Sequence, residues 1–422
     1  MTFRVLHTSD WHLGQYFYGK SRAKEHQAFI NWLIEKVSEL KINAVIVAGD
    51  IFDTGTPPSY ARELYFDFIV KLQQLNCQLV LLAGNHDSVA MLNEAKHLLS
   101  QMSCTVIASA SSITSDQIVE LKDNKGHLGA IVCAVPFIRP RDIITSQSGQ
   151  SASEKQESLQ QAIAAHYKKL FKEAKLKADG NVPIIATGHL TTVGVSTSDS
   201  VRDIYIGTLE AFNANAFPPA DYIALGHIHK SQKVAKSKHI RYCGSPIPLS
   251  FDEAKQEKCV LIAEFEQAVL TQVTELTIPR FQPLLMVKTS IDDLAEQIGS
   301  VVSNTPLENK EQCIWLDIEI NSAEYLQDLT VRIEDIIKSL PVEVLLVRRA
   351  KASREKMVSH EKKITLNELS LTDVFETRLA EEHWQTQEEV ARKERLQTLF
   401  AQVVEQVQRP IELDELSDGD KV

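Results

Sequence analysis

Five times in this chain an apolar, strand-like run stops at residues able to bind a metal ion. Val5-Leu6-His7-Thr8-Ser9 leads into Asp10 and His12, and Val45-Ile46-Val47-Ala48-Gly49 into Asp50. Leu79-Val80-Leu81-Leu82-Ala83-Gly84 leads into Asn85 and His86, and Ile184-Ile185-Ala186-Thr187-Gly188 into His189. The last run, Tyr222-Ile223-Ala224-Leu225-Gly226, leads into His227 and His229. Ligands of α/β sheets bind at the carboxyl ends of strands, so a fold that aligns these strands also gathers their ends. One such cluster carries little; five in order form the pattern of a two-metal hydrolytic centre.

The donors are two carboxylates, one amide and several imidazoles, without thiolate. That set suits manganese or iron(II), leaves zinc open, and is poor for copper or iron–sulfur chemistry. Magnesium alone prefers oxygen. Asp10 and His12 are two residues apart, so an extended segment would point both the same way to chelate one ion. Asp50 can bridge two ions through its two oxygens. The expected division is Asp10, His12, Asp50 and His229 around one ion, and Asp50, Asn85, His189 and His227 around the other. Paired ions about 3.5–4 Å apart activate a water and stabilise charge on a phosphoryl group. Asp53 is expected to support the site by hydrogen bonds. His86 is left over: beside a bound phosphate it can protonate the leaving oxygen, with Asp87 orienting it. The plainer reading is that His86 caps the next helix.

At 422 residues the chain has room for two or three domains. Composition is that of an ordinary globular protein, and a formal net charge of −11 argues weakly against nucleic-acid binding without deciding the substrate. The six cysteines have no CxxC spacing, and Cys77, Cys133 and Cys259, in apolar runs, read as reduced core thiols. The first residues enter a strand with no signal sequence, and no apolar run approaches the roughly 18 residues that span a bilayer. A cytoplasmic, nucleoid-associated protein is expected.

Strands over 3–8, 44–49 and 78–83 alternate with helices near 22–40, 59–75 and 88–100, the pattern of βαβ units in a parallel sheet. A helix near 157–177 precedes motif strands at 183–187 and 221–226. Segments 239–243, 258–265 and 269–277 read as a closing antiparallel set. The expected fold class is α/β: two sheets face to face with helices on both outsides. The pattern restarts after residue 280 as β-α-β-α-β. The expected domains are 1–280, catalytic; 281–350, a second module without ligand clusters; 351–371, a linker; 372–408, helical; and 409–422, an acidic tail. Leu396, Leu399, Phe400 and Val403 lie on one stripe of that helix, which packs either on this chain or on a partner.

The order DxH, GDxxD, GNHD, GH, GHxH resembles the calcineurin-like metallophosphoesterases. Within that superfamily, His7-Thr8-Ser9-Asp10-Trp11-His12-Leu13-Gly14, Gly49-Asp50-Ile51-Phe52-Asp53-Thr54-Gly55, Gly226-His227-Ile228-His229 and Tyr242-Cys243-Gly244-Ser245-Pro246 resemble the SbcD family of bacterial DNA nuclease subunits. The resemblance implies a four-layer α/β/β/α fold with a small α+β capping domain and C-terminal helices. It also implies manganese-dependent 3′→5′ exonuclease action on duplex DNA and endonuclease action on single strands and hairpins. The implied partner is an SbcC-like, SMC-type ATPase that uses ATP itself, in a heterotetramer containing a homodimer of this chain. This chain contains no GxxxxGK[ST] phosphate loop.

The segment Gln15–Lys24 mixes aromatic and basic side chains, and Tyr16, Tyr18, Lys20 and Arg22 are candidate DNA contacts. The plainer reading is a solvated loop with packed aromatics. Two other functions share the same residues: a phosphoesterase for a phosphoprotein or small cyclic phosphodiester, and a non-catalytic scaffold, which would need no ligand set.

Overall fold

The computed structural model describes residues 2–143, 152–201, 211–307, 312–320 and 329–349, together with 393, 395, 396 and 400. Two six-stranded sheets carry the first part of the chain. One has the order Val269–Thr277, Cys259–Glu266, Phe3–Thr8, Ala44–Ala48, Gln78–Leu82, Cys104–Ile107. The other has the order Gln232–Lys233, Ile240–Tyr242, Tyr222–Gly226, Ile184–His189, Leu128–Cys133, Ile118–Lys122.

Alternation along each strand explains the layering. Val5, Ile46, Val80 and Leu82 face a central core shared with Val132, Ile185, Tyr222 and Ala224 of the second sheet. Their neighbours Leu6, Val45, Val47 and Leu81 face outward and pack with Phe29, Leu33, Phe68 and Leu72 of helices Ala23–Glu39 and Ser59–Gln74. Both faces of the inner strands Phe3–Thr8, Ala44–Ala48 and Gln78–Leu82 are covered, so these runs are almost continuously apolar. The second sheet buries its outer face under helix Ala152–Ala178, through Ile163, Tyr167 and Leu170.

Two expectations need correction. Ile240–Tyr242 does not join an antiparallel closing set; it runs parallel to Tyr222–Gly226 in the second sheet. Only Cys259–Glu266 and Val269–Thr277 close the first sheet antiparallel, beside Phe3–Thr8. The helix expected over 88–100 is two short helices, Val89–Glu94 and Lys96–Ser100, meeting at Ala95. No glycine or proline marks that break.

After residue 280 the chain forms a three-stranded parallel sheet of Leu284–Thr289, Ile314–Ile320 and Val342–Arg349. Helices Leu294–Asn304 and Leu329–Ile337 connect its strands. This unit has its own core of Val287, Leu294, Ile298, Leu316 and Ile318.

A polar link crosses the central core. The His7 ring, fully buried, lies 3.0 Å from the Tyr222 hydroxyl through Nδ1 and 3.2 Å from the Leu225 carbonyl through Nε2. The carbonyl can only accept, so Nε2 donates and Nδ1 accepts from Tyr222. Burial pushes the His7 pKa down to about 3, against the help of the Leu225 carbonyl. The ring is therefore neutral in the folded chain and free to charge in the unfolded one. A depressed folded pKa gives stability that is complete above the unfolded value of 6.5 and drains away as pH falls towards 3. The expected loss from this residue is about 2–3 kcal/mol between pH 6.5 and 4.5. Denaturant titrations of wild type and His7→Gln at both pH values check this; an equally steep acid slope in the variant would rule it out.

Candidate metal centre

The ligand-bearing loops leave their strands through unusual backbone. Asp10, His12, Asp50 and His227 all have positive φ, at 54°, 46°, 50° and 93°. Such conformations cost a non-glycine residue about 1–2 kcal/mol and cluster where function fixes geometry. This corrects the expectation for Asp10 and His12, which lie beyond the strand end at Thr8, in left-handed turns rather than on an extended segment. Gly49 has φ +96°, and a Cβ there would lie 2.2 Å from His189 Nδ1. A Cβ at Gly84 would lie 2.1 Å from Asp50 Oδ1. The close approach of neighbouring loops thus depends on these two missing side chains.

Three groups of side chains come close enough to share a cation: Asp10, His12 and His229; His12, Asp50 and His86; and Asp50, His189 and His227. Asp50 stands between the others. Its Oδ2 is 3.2 Å from His189 Nε2 and 3.6 Å from His12 Nε2, while its Oδ1 accepts the His86 amide at 2.9 Å. Asp10 accepts from Ser9 Oγ at 2.5 Å and from the His227 amide at 2.9 Å. Asn85 Oδ1 lies 3.0 Å from His189 Nε2.

The proton inventory fits a cation. His189 Nδ1 is 2.8 Å from the Ala48 carbonyl and must donate to it. In the neutral ring, Nε2 then turns a lone pair towards the Asn85 and Asp50 oxygens, a gathering of acceptors that only a proton or a cation satisfies. Without metal, a second proton fills this role: burial disfavours the charge, but Asp50 outweighs it and raises His189 to about 9. His12 Nε2 and His227 Nε2 are buried with no hydrogen-bond partner, the state expected of nitrogens kept for a metal. For His227, burial and the neighbouring His189 charge hold the ring well below its ordinary pKa, so its lone pair stays open.

Supporting contacts set the tautomers. His12 Nδ1 is 3.1 Å from Asp53 Oδ1, and His86 Nδ1 is 2.7 Å from the Asp53 carbonyl. The carbonyl of Asp53, rather than Asp87, thus orients His86. The Asp87 carboxylate instead accepts the amides of Gly84, Phe52 and Ile51 at 2.8, 2.9 and 3.1 Å. Asp87 ties the Asp50 and Asn85 loops together, and its expected contact with His86 is corrected. Burial, followed by Asp50, raises its carboxyl to about 6 against those three amides.

Sequence reading missed one further set. His229 Nδ1 is 2.5 Å from Ser200 Oγ, and Ser200 bonds Glu253, a buried carboxylate paired with Lys258 Nζ at 2.6 Å. Burial alone would raise Glu253; Lys258 and His229 hold it well below the usual range. No motif marks these residues.

The Gln15–Lys24 segment is mostly a hairpin. Tyr16–Phe17 pairs with Lys20–Ser21 across a two-residue turn in which Tyr18 and Gly19 both have positive φ. Tyr16 and Tyr18 are exposed. Lys20 pairs with Glu343 of the second unit. Arg22 is corrected as a DNA contact: it is buried, bonds Glu25 and the Pro248 carbonyl, and lies 4.9 Å over the Phe17 ring. Its charge holds the hairpin base and is not open to a phosphate. Phe17 is buried with Phe251, Leu284 and Trp315, so the hairpin joins the first unit to the second. Leu396 is exposed; Leu399 and Val403 lie outside the described residues, as does most of the 372–408 segment.

Residues 3–231, more than half the chain, match the family of calcineurin-like phosphoesterases. Residues 280–383 match the type 5 capsule protein repressor C-terminal domain of SbcD proteins. The SbcD chain of nuclease SbcCD from Escherichia coli K12 is 52% identical, covering 94% of this chain and 96% of its own. The chain belongs to the SbcD family. More distant members include the SbcD chain of Bacillus subtilis, 29% identical over 76% of this chain and 80% of its own. That of Rhodobacter capsulatus is 28% identical over 83% and 89%. The protein is a hydrolytic nuclease with a calcineurin-like α/β fold, and that fold implies divalent metal ions, for which the three side-chain groups are candidate sites. Among the described residues no helix is long and apolar enough to cross a membrane.

Proposed function

We propose that this SbcD-family chain is the DNA-cleaving subunit of an SbcCD-like complex and works through two manganese ions. The observation that carries the two-ion reading is Asp50, shared by two groups of candidate ligands, one with His12 and one with His189 and His227. Asp10, His12, Asp50 and His229 hold one ion, and Asp50, Asn85, His189 and His227 the other. When bound, such ions supply an activated water and neutralise charge on the scissile phosphate. The protein does the rest. Asp53 holds His12 and His86 in fixed tautomers, with each Nε2 turned away from it. His86, whose ring centroid is 4.7 Å from that of His12, gives Nδ1–H to the Asp53 carbonyl, which leaves the neutral ring's lone pair at Nε2; as the imidazolium it would deliver the Nε2 proton to the leaving oxygen. Asp87 fixes the loops that carry Asp50 and Asn85. Tyr16 and Tyr18 offer stacking surfaces to unpaired bases, and Lys20 a charge to the backbone.

The substrate is DNA, cut as a 3′→5′ exonuclease on duplex ends and as an endonuclease on hairpins and single strands, in repair, recombination and replication at the nucleoid. Residues 1–280 form the catalytic domain and 281–350 the cap, followed by a linker over 351–371. Leu396, Leu399, Phe400 and Val403, in segment 372–408, dock on an SbcC-like ATPase that alone uses ATP, with two copies of each subunit; 409–422 is an acidic tail. Identity of 52% to a chain named as a subunit of SbcCD supports the complex.

The test is cleavage of an end-labelled DNA hairpin by the purified complex with manganese, with and without ATP. Cleavage that requires manganese is expected. Inert hairpin and single-stranded DNA, with metal and partner present, would favour a small cyclic phosphodiester instead.

A further inference from the structure

The ring of His229 is held by a serine that is itself backed by a buried carboxylate. Its Nδ1 meets Ser200 Oγ at 2.5 Å. Ser200 in turn bonds Glu253 Oε1, which also accepts from Ser198 Oγ at 2.7 Å. The other oxygen, Oε2, accepts from Lys258 Nζ at 2.6 Å and from the Leu249 amide at 3.1 Å. Glu253 is fully buried and Lys258 nearly so. Lys258 Nζ also bonds the His229 carbonyl at 2.8 Å. Ring and backbone of His229 are thus held by one buried ion pair.

Proton counting gives the network a direction. An ionised carboxylate only accepts, so the single Ser200 proton points to Glu253. Ser200 Oγ then offers a lone pair to His229, and Nδ1 must be the protonated nitrogen. Nε2 is left as a bare lone pair on the side of Asp10 and His12, the two residues grouped with it. Imidazole ligands of metal sites commonly depend on such outer partners for tautomer and ring orientation. Here a serine stands between the carboxylate and the imidazole, on a segment anchored independently. Gln232 brackets Ser196 with two hydrogen bonds of 2.9 and 2.8 Å, and the Asp199 amide donates to Asp252 at 3.2 Å.

We infer that Ser200 and Glu253 form a positioning relay for His229, setting the affinity of the ion held with Asp10 and His12 and leaving the other ion untouched. Neither residue touches that ion or the substrate; both act through the imidazole. The inference rests on the two-ion reading above.

Manganese titration of the full-length chain by calorimetry tests the relay without reference to cleavage. Wild type is expected to bind two ions. Ser200→Ala leaves the Glu253–Lys258 pair in place and removes only the link to His229. It should weaken one ion by about 10- to 100-fold and leave the other unchanged. The metal-free thermal midpoint should match wild type, and Ser200→Thr, which restores a hydroxyl, should recover most of the affinity. Glu253→Gln should weaken the same ion. A Ser200→Ala titration identical to wild type overturns the relay while two-ion binding stands. Equal weakening of both ions with a lowered metal-free midpoint also overturns it, since Ser200 would then serve the fold. If wild type binds no manganese, or Asp50→Ala still binds two ions, the two-ion reading itself fails and the relay falls with it.

Discussion

Asp50→Ala is expected to abolish DNA cleavage, by at least about three orders of magnitude, because it removes the one carboxylate common to both candidate ion sites. Its Oδ2 lies 3.6 Å from His12 Nε2 and 3.2 Å from His189 Nε2, so a single carboxylate faces both groups. The loss should show first in the metal: elemental analysis after desalting from manganese should find far less than two ions per chain. The variant also leaves His189 and the His86 amide without their shared acceptor. The ring of His189, no longer beside a carboxylate, should lose the charge it carries in the metal-free chain. Asp50→Asn is the control for backbone strain, since asparagine tolerates the left-handed φ of 50° better than alanine does. Two manganese ions retained in either variant would refute the shared role.

His86→Gln is expected to separate metal binding from chemistry. His86 approaches Asp50 chiefly through its backbone amide, which glutamine preserves, and its ring is turned by the Asp53 carbonyl. Two ions should therefore remain bound while turnover falls by about 10²- to 10⁴-fold, the usual contribution of a proton-transferring side chain. Single-turnover cleavage of the labelled hairpin, alongside metal analysis, reads both effects in one preparation. Near-normal turnover would remove His86 from the mechanism. Parallel loss of metal would make it a ligand, as its grouping with His12 and Asp50 allows.

The sequence carried the strands and the candidate ligands well because one physical pattern encodes both. A strand buried on two faces must be apolar throughout, so the point where it meets the site is an abrupt change in chemistry. The SbcD resemblance was legible for the same reason, since its motifs are these strand ends. Long-range partnership was not legible. Arg22 reads as a surface cation until Glu25 and the Pro248 carbonyl close around it. Asp87 reads as a helper of its neighbour His86, whereas its carboxylate gathers amides from the Asp50 loop. Ser200 and Glu253 reach His229 from 29 and 24 residues away in sequence, with no spacing that periodicity could detect. The break at Ala95 and the parallel pairing of Ile240–Tyr242 likewise arise from packing and not from any local residue.

The place of the first strand has a consequence for biosynthesis. Phe3–Thr8 leaves the ribosome well before its antiparallel neighbour, Cys259–Glu266, which is made more than half a chain later. Domains generally fold as units while translation proceeds, at about 5–20 residues per second. For many seconds the nascent polypeptide therefore carries Asp10 and His12 just beyond a strand with one open edge, without His227, His229 or the Glu253–Lys258 pair. The group of Asp10, His12 and His229 is therefore completed, and its outer support by Glu253 and Lys258 added, only as translation nears the closing strand.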